Sequence, residues 1–218
     1  MVQLNYQWLD VKDYLLLMID KETHKTDKGF YKVKHDKTQI ILAGSLRKDN
    51  HHIKRFETRN GGKSKTWCTY TIDREGKIFQ HYDPKYYSDY MGNKEIDKKS
   101  ISIVLENMGM LFYDYESSKY LNWVHDECAS NLVFERKWNG HTYWEIYTNE
   151  QFKSTVELCK YLIDEFDIEM DSLGFNVFYE DTINYEGMVC RSNYDSDYTD
   201  LNPSFDFKRF LNCLGIDL

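Results

Sequence analysis

Few side chains in this sequence have the type and spacing needed for catalysis or metal binding. Cys68 could be a nucleophile beside a histidine, although a free cysteine in an apolar segment more commonly packs in a core. A zinc site is conceivable from Cys190, Asp195, Asp197 and Asp200, with His51, His52 and His81 folding nearby. These residues lack the spacing of a known ligand set, and Asp-rich turns are usually solvated. We therefore predict no metal and no cofactor, and keep a relocated zinc site as an alternative.

Two further features suggest ligand contact. Residues 61–65 (GGKSK) are similar to part of a phosphate-binding loop, but that loop needs a glycine where this chain has Glu57. We interpret the segment as a flexible basic loop. Glu106 and Asn107 follow an apolar strand, where open α/β sheets present ligand-contacting side chains. Hydrogen bonding to neighbouring backbone is an equal alternative for this pair.

Hydrophobic patterning predicts the elements that must position these side chains. Apolar runs predict strands at 39–42 and 100–106, and a hairpin whose strands at 67–72 and 77–82 flank a turn at 74–76; a shorter run at 14–19 also suits a strand. Helices are expected at 149–166, capped by Thr148 with Gln151, after Pro203 with a stop at Gly215, and more weakly at 51–58. The fold class is α/β, with a mixed central β-sheet flanked by helices.

Composition limits the partners and the compartment. The 218 residues carry a formal charge of -8, opposite to the basic footprint of a duplex nucleic-acid binder, and no apolar run approaches membrane-span length. Five cysteines without a CxxC pair suit free thiols in a reducing cytoplasm. No secretory signal is visible, so we expect a cytoplasmic protein that binds neither duplex nucleic acid nor a membrane. The sequence does not assign an oligomeric state.

Five segments in a fixed order carry a family resemblance. They are 39–45 (QIILAGS), 70–80 (YTIDREGKIFQ), 99–107 (KSISIVLEN), 168–176 (IEMDSLGFN) and 202–210 (NPSFDFKRF). The order resembles the zinc N-acetylmuramoyl-L-alanine amidases of the phage-lysozyme and peptidoglycan-recognition type. The resemblance implies an amidase-like domain at 38–218, with an aromatic insert at about 110–147. Residues 1–37 would be an N-terminal extension packed on it.

The resemblance also implies a dismantled zinc site. The family holds zinc with two histidines and a cysteine or aspartate, leaving one position for the attacking water. In our alignment these ligand positions fall on Ala43, Phe175 and Asn202, and two further functional positions, a tyrosine and a lysine, fall on Cys68 and Asp200. A methyl group and a phenyl ring cannot ligate zinc, so we expect no catalytic residue.

A tyrosine-rich loop at 83–93 occupies the family's substrate-contacting stretch. Its rings could contact a ligand, or pack on the extension 1–37 instead. The full set of ligand-binding candidates is Ser45, Tyr70, Tyr86, Tyr87, Tyr90, Glu106, Asn107, Phe175, Asn176 and Asn202. Aromatic residues of the insert could stack on sugars or bases, but for Trp123 and Trp138 we favour a small core that seals the insert.

These inferences lead to one main hypothesis and two alternatives. The first is a catalytically inactive amidase-fold protein, phage-encoded and acting in the host cytoplasm, which binds a muropeptide or another small ligand. A nucleotide-type host signal is one such ligand. The second is a structural virion or partner-binding protein, and the third is an active amidase with relocated zinc ligands.

Overall fold

The computed structural model describes residues 18–216, which form two β-sheets and four helices of six or more residues. The strands are β1 (Ile19–Asp20), β2 (Gln39–Gly44), β3 (Tyr70–Ile72), β4 (Ile78–Gln80), β5 (Ser100–Leu105), β6 (Met110–Asp114), β7 (Lys119–Asn122), β8 (Glu127–Cys128), β9 (Val133–Trp138), β10 (His141–Glu145) and β11 (Gly187–Cys190). The helices are α1 (His51–Thr58), α2 (Lys94–Lys99), α3 (Asn149–Phe166) and α4 (Phe207–Leu214).

The central sheet has the strand order β1-β4-β3-β5-β2-β11. Strand β2 pairs in parallel with β5 on one side and with β11 on the other. Strands β3 and β4 form the antiparallel hairpin, and β3 runs parallel to β5. All residues of β2 and β5 are buried, which explains their near-continuous apolar sequences. The sheet is therefore mixed, with four parallel strands, β3, β5, β2 and β11, ending at one edge.

Helices cover both faces of the central sheet. On one face, α3 and α4 pack Phe152, Cys159 and Phe210 against sheet residues such as Ile40 and Ile103. Thr148 and Gln151 form a capping box at the start of α3, and Gly215 ends α4 with a left-handed conformation. On the other face, α2 places Ile96 against Ile41 and Val189, and α1 places Phe56 against Ala43 and Val104. This layered arrangement is the α/β class expected from the sequence.

The insert forms a second sheet of its own. Strands β6 to β10 pair in the antiparallel order β8-β7-β6-β10-β9. Trp144 is fully buried and packs against Trp138 with ring centroids 5.4 Å apart. Trp123 instead remains 43% exposed, so the expectation that it helps to seal the insert is wrong. The loop after β7 carries it away from the core of this sheet.

The strands and helices that patterning predicted between residues 39 and 166 are confirmed, as is the last helix. Of the segments that carry the family resemblance, 168–176 contains no strand, and Ser172 makes only an isolated bridge to Met188. The strand beside β2 is instead β11, whose four residues are too few for a clear apolar pattern. Of the apolar run at 14–19, residues 14–17 lie outside the described residues.

The described part of the extension lies on the domain. Phe30 stacks on Tyr82 and Tyr86, with centroid distances of 4.7 and 5.5 Å, and Tyr31 stacks on Tyr87 at 4.8 Å. All five cysteines are free, and only Cys213 is exposed. Within residues 18–216, none of the helices combines the length and apolar character needed to cross a membrane.

Candidate functional site

The carboxyl ends of β2, β5 and β11 meet at one edge of the central sheet, where open α/β folds place ligands. Ala43 lies beside Val104 in the register of β2 and β5. Because Cys190 pairs with Leu42, the next residue, Arg191, emerges from β11 at the level of Ala43. Ala43, Val104 and Cys68 form a small buried apolar cluster. The ends of β2 and β5 therefore present apolar side chains at this edge.

Arg191 forms a buried ion pair with Asp200. Its Nε lies 2.7 Å from Asp200 Oδ2, and the two side chains are 16% and 1% exposed. The same carboxylate oxygen accepts a hydrogen bond from Gly44 N at 2.9 Å, while Arg191 Nη2 donates to Gly44 O at 3.1 Å. Burial alone would lower the pKa of Arg191, but the facing Asp200 outweighs it and raises the pKa above its usual value. The pair thus fastens β11 and the segment before α4 to the end of β2.

Asn202 and Asn107 belong to a second buried network beside this pair. Asn202 Nδ2 donates to Asn107 Oδ1 at 2.8 Å and to the Glu145 carbonyl at 3.2 Å. Asn202 Oδ1 accepts from Ser204 N at 2.9 Å. Both polar atoms of the Asn202 amide are therefore occupied by protein partners. Glu145 in turn pairs with Arg74 at 2.9 Å.

These residues do not fit the zinc ion that the family resemblance implies. The resemblance places the second histidine at Phe175, but Phe175 stacks on Phe207 at 4.7 Å, and the residue that follows the strand beside Ala43 is Arg191. A guanidinium has no lone pair to give a metal ion, so Arg191 cannot act as a zinc ligand. Among residues 18–216, no group of three or more His, Cys, Asp or Glu side chains is arranged to hold a metal ion. Of the residues suggested for a relocated site, Asp200 binds Arg191, and His81 bonds to Thr71 and the His24 carbonyl.

A chain of hydrogen bonds fixes the tautomer of His52. His81 Nδ1 lies 2.9 Å from the His24 carbonyl, so Nδ1 carries the proton and Nε2 accepts from the Thr71 hydroxyl at 2.8 Å. Thr71 Oγ1 has then used its only hydrogen and must accept from His52 Nε2 at 3.1 Å. Burial lowers the pKa of His52 to about 3 and that of His81 to about 4, so both rings are neutral. His52 Nδ1 is left as a buried acceptor without a partner.

A cavity of about 200 Å³ opens at this edge of the sheet. Its aromatic rim consists of Phe56, Tyr90 and Trp123, and its floor includes Val104 and the backbone of residues 44–46. The remaining wall is basic, formed by Arg47, Arg55, Arg59, Arg191 and His52. Arg55 and Arg59 extend from α1 and the turn after it and are exposed, so the cavity is open to solvent on their side.

The ligand-binding candidates fall into separate places. Ser45 and Tyr90 line the cavity. Tyr86 and Tyr87 pack on Phe30 and Tyr31 of the extension, which is the alternative arrangement considered for that loop. The others lie outside the cavity lining: Tyr70, Glu106, Asn107 and Asn202 are buried, Phe175 stacks on Phe207 at 4.7 Å, and Asn176 is half-buried.

Glu106 has a positioning role in this geometry. The backbone N–H groups of Asn50 and Asp49, just before α1, face its carboxyl group and favour the charged form. Burial nevertheless raises its pKa to about 7. Glu106 therefore faces the backbone just before α1 and lies outside the cavity lining.

The arginines of the cavity were missed by sequence reasoning. A signal was present, because residues 47–65 contain seven Lys or Arg against two acidic residues, within a chain of net charge -8. Only its last five residues, 61–65, were recognised as basic. Arg191 gave no such signal, since it stands alone after β11 and reaches the site only through strand pairing.

Comparison with known proteins agrees with this architecture. The family model described as N-acetylmuramoyl-L-alanine amidase matches residues 33–186, more than half of the chain. That match ends before β11, Arg191 and Asn202. A search of curated proteins finds no significant match.

Solved structures with a similar fold are themselves amidases. The endolysin amidase LysCS from Clostridium intestinale superposes with a TM-score of 0.55 at 10% identity, covering 91% of this chain and 96% of that one. AmiD from E. coli, solved with the substrate anhydro-N-acetylmuramic acid-L-Ala-D-gamma-Glu-L-Lys, gives 0.56 at 13% identity, with 90% and 68% coverage. AmpDh3 from Pseudomonas aeruginosa, in complex with an anhydromuramic pentapeptide, gives 0.52 at 13%, with 99% and 67%. On the strength of the family match and its mixed α/β fold, this chain belongs to the N-acetylmuramoyl-L-alanine amidase family.

Proposed function

We propose that this protein is a member of the amidase family that binds a ligand in its cleft without hydrolysing it. The observation that carries the proposal is the buried Arg191–Asp200 pair beside Ala43. It puts a guanidinium, which has no lone pair to give a metal, beside Ala43, one of the positions where the resemblance implies a zinc ligand. The only carboxylate of this pair is already bound to Arg191, so the pair offers no free ligand to a divalent cation.

The remaining groups near the cleft are poorly suited to activate water or attack an amide. Burial raises the pKa of the Cys68 thiol to about 12, so its nucleophilic thiolate is absent near neutral pH. His52, with a pKa of about 3, is a weak base. Glu106 has a pKa suited to proton transfer, but it does not line the cavity.

Binding without hydrolysis is favoured because the cleft is still open. Its lining combines an apolar floor, three aromatic rings and several converging polar groups, a composition typical of small-ligand sites. Two similar structures hold anhydromuramyl peptides, so a peptidoglycan fragment is the natural first ligand to test. Another small ligand that uses the basic wall fits the same function.

The proposal is tested by incubating the purified protein with peptidoglycan in the presence of added zinc. Released peptides are measured by mass spectrometry, with LysCS as the active control. We expect no peptide release above the level of a heat-denatured sample. Release of free peptides with intact stems, at a rate that increases with the protein concentration, would overturn the proposal.

A further inference from the structure

Three of the cavity's arginines have no carboxylate partner within the described residues. The Arg191 charge is balanced by Asp200, whereas Arg47, Arg55 and Arg59 form no ion pair among residues 18–216. Like charges gathered around one concave surface repel one another unless an anion joins them. Burial and the neighbouring Arg55 lower the pKa of Arg47, more than Asp126 raises it. The cavity is thus a concentration of positive charge in an acidic protein.

Arg47 is held in a fixed orientation. Its guanidinium lies 4.2 Å from the ring centre of Trp123, and the Trp123 indole donates to the Leu46 carbonyl at 2.8 Å. Arg47 Nε is buried and has no hydrogen-bond partner. The terminal nitrogens of this stacked guanidinium make no hydrogen bond within residues 18–216, so they are pre-organised to bind an oxyanion.

His52 adds an acceptor to the same cavity. The ring is 4% exposed, lines the cavity, and has Nδ1 as its unpartnered lone pair. Such a buried acceptor costs free energy unless a donor reaches it. A simple anion would pair with the arginines but leave the His52 acceptor without a donor. The ligand should therefore also carry an N–H or O–H group.

The size and charge of the cavity restrict the ligand. At about 200 Å³ the cavity is smaller than the roughly 300–1,000 Å³ of typical ligand pockets, so it suits one small polar group and the part of the ligand attached to it. A carboxylate brings one charge and two oxygens. A phosphoryl group brings a charge of about -1.5 to -2 and three acceptor oxygens, which matches three guanidinium groups better.

We propose that this cavity binds a small phosphorylated ligand, with the phosphoryl group on Arg47, Arg55 and Arg59 and a nearby ligand hydroxyl donating to His52 Nδ1. The inference rests on the proposed function, because it names the ligand class of the same non-hydrolysing cleft. Single-stranded nucleic acid and muropeptides are outcomes that the experiment distinguishes.

The first experiment is calorimetric titration with inorganic phosphate and with glucose 6-phosphate, and with glucose as the uncharged control. Arg55→Ala combined with Arg59→Ala removes two exposed side chains and no described side-chain contact. Lys54→Ala removes the same type of charge from the same helix, but Lys54 does not line the cavity. We expect the double variant to weaken binding of both phosphates at least tenfold, given the strength of charged hydrogen bonds. Lys54→Ala should change it less than twofold.

Several results would overturn the inference. These are equal phosphate binding by the double variant and the parent, no binding by the parent, or tighter binding of an anhydromuramyl peptide or of oligothymidylate than of glucose 6-phosphate. Each leaves the proposed function standing, because that function is tested by peptide release with zinc present. Peptide release together with arginine-dependent phosphate binding would instead refute the proposed function alone.

A second measurement addresses His52 without altering a buried side chain. In ¹⁵N NMR spectra, the Nδ1 resonance of His52 should shift when glucose 6-phosphate binds, as its lone pair gains a donor. The His81 resonances, whose ring nitrogens are both already bonded, should shift less. An unchanged His52 Nδ1 resonance at saturation would remove His52 from the proposed site.

Discussion

Removing one charge of the Arg191–Asp200 pair should be among the most damaging small changes to this protein. Asp200→Asn keeps the size and shape of the side chain, and the Asn oxygen can still accept the hydrogen bond from Gly44 N, but Arg191 loses its counter-charge. Leaving a buried charge unpaired costs about 3–5 kcal/mol. At about 2–4 °C per kcal/mol for a chain of this size, the melting temperature should fall by roughly 6–20 °C.

The assay is urea unfolding followed by tryptophan fluorescence, for the parent, Asp200→Asn, Arg191→Met and the double variant. If the loss comes from an uncompensated charge, the double variant should be more stable than the sum of the single losses indicates. Asp197→Asn, which changes an exposed carboxylate in the same segment, is the matched control. A loss below about 1 kcal/mol in Asp200→Asn, the range of a surface pair, would refute the reasoning.

Two further predictions follow from the same edge of the sheet. The first compares two triple variants that share Ala43→His and Asn202→Asp and differ only in Arg191→His or Phe175→His. The variant with Arg191→His should bind zinc more tightly, because β11 brings residue 191 beside Ala43. Equal zinc affinities in a competition titration would contradict that placement. The second concerns pH: burial lowers the pKa of His52 to about 3 and that of His81 to about 4, whereas a histidine in the unfolded chain has a pKa of about 6.5. Below pH 6.5 the unfolded chain therefore binds more protons than the folded protein, and the free energy of unfolding decreases as the pH falls from 6.5 toward 4. At pH 5 each histidine should lower the free energy of unfolding by up to about 2 kcal/mol relative to neutral pH. NMR of the folded protein at pH 5 should still show two neutral rings, and imidazolium signals from His52 or His81 would contradict the prediction.

Local signals in the sequence predicted much of the fold. The capping box at Thr148 and the left-handed Gly215 define helix ends by chemistry between near neighbours. Strands β2 and β5 are apolar throughout because both their faces are covered. The prediction failed at β11, where four residues identify themselves as a strand only by pairing with β2. The antiparallel sheet of the insert was likewise not predicted, since its strands are half exposed and irregular in pattern.

The candidate site was less predictable than the fold. Ala43 and Asn202 could be singled out because strand and turn motifs mark their places, and Asp200 because it precedes Asn202. Its partner Arg191 and the cavity-facing arginines depend on which strand neighbours which and on where α1 lies, and a linear pattern does not contain that information. The orphan acceptor at His52 required the tautomer argument through Thr71 and His81.

The most direct test of a cleft that has given up zinc chemistry is the metal content of the protein after equilibration with excess zinc and removal of unbound ions. Elemental analysis combined with native mass spectrometry should find far less than one zinc per chain, and the same melting temperature with and without a chelator. One tightly bound zinc per chain, lost on chelation together with stability, would contradict the account.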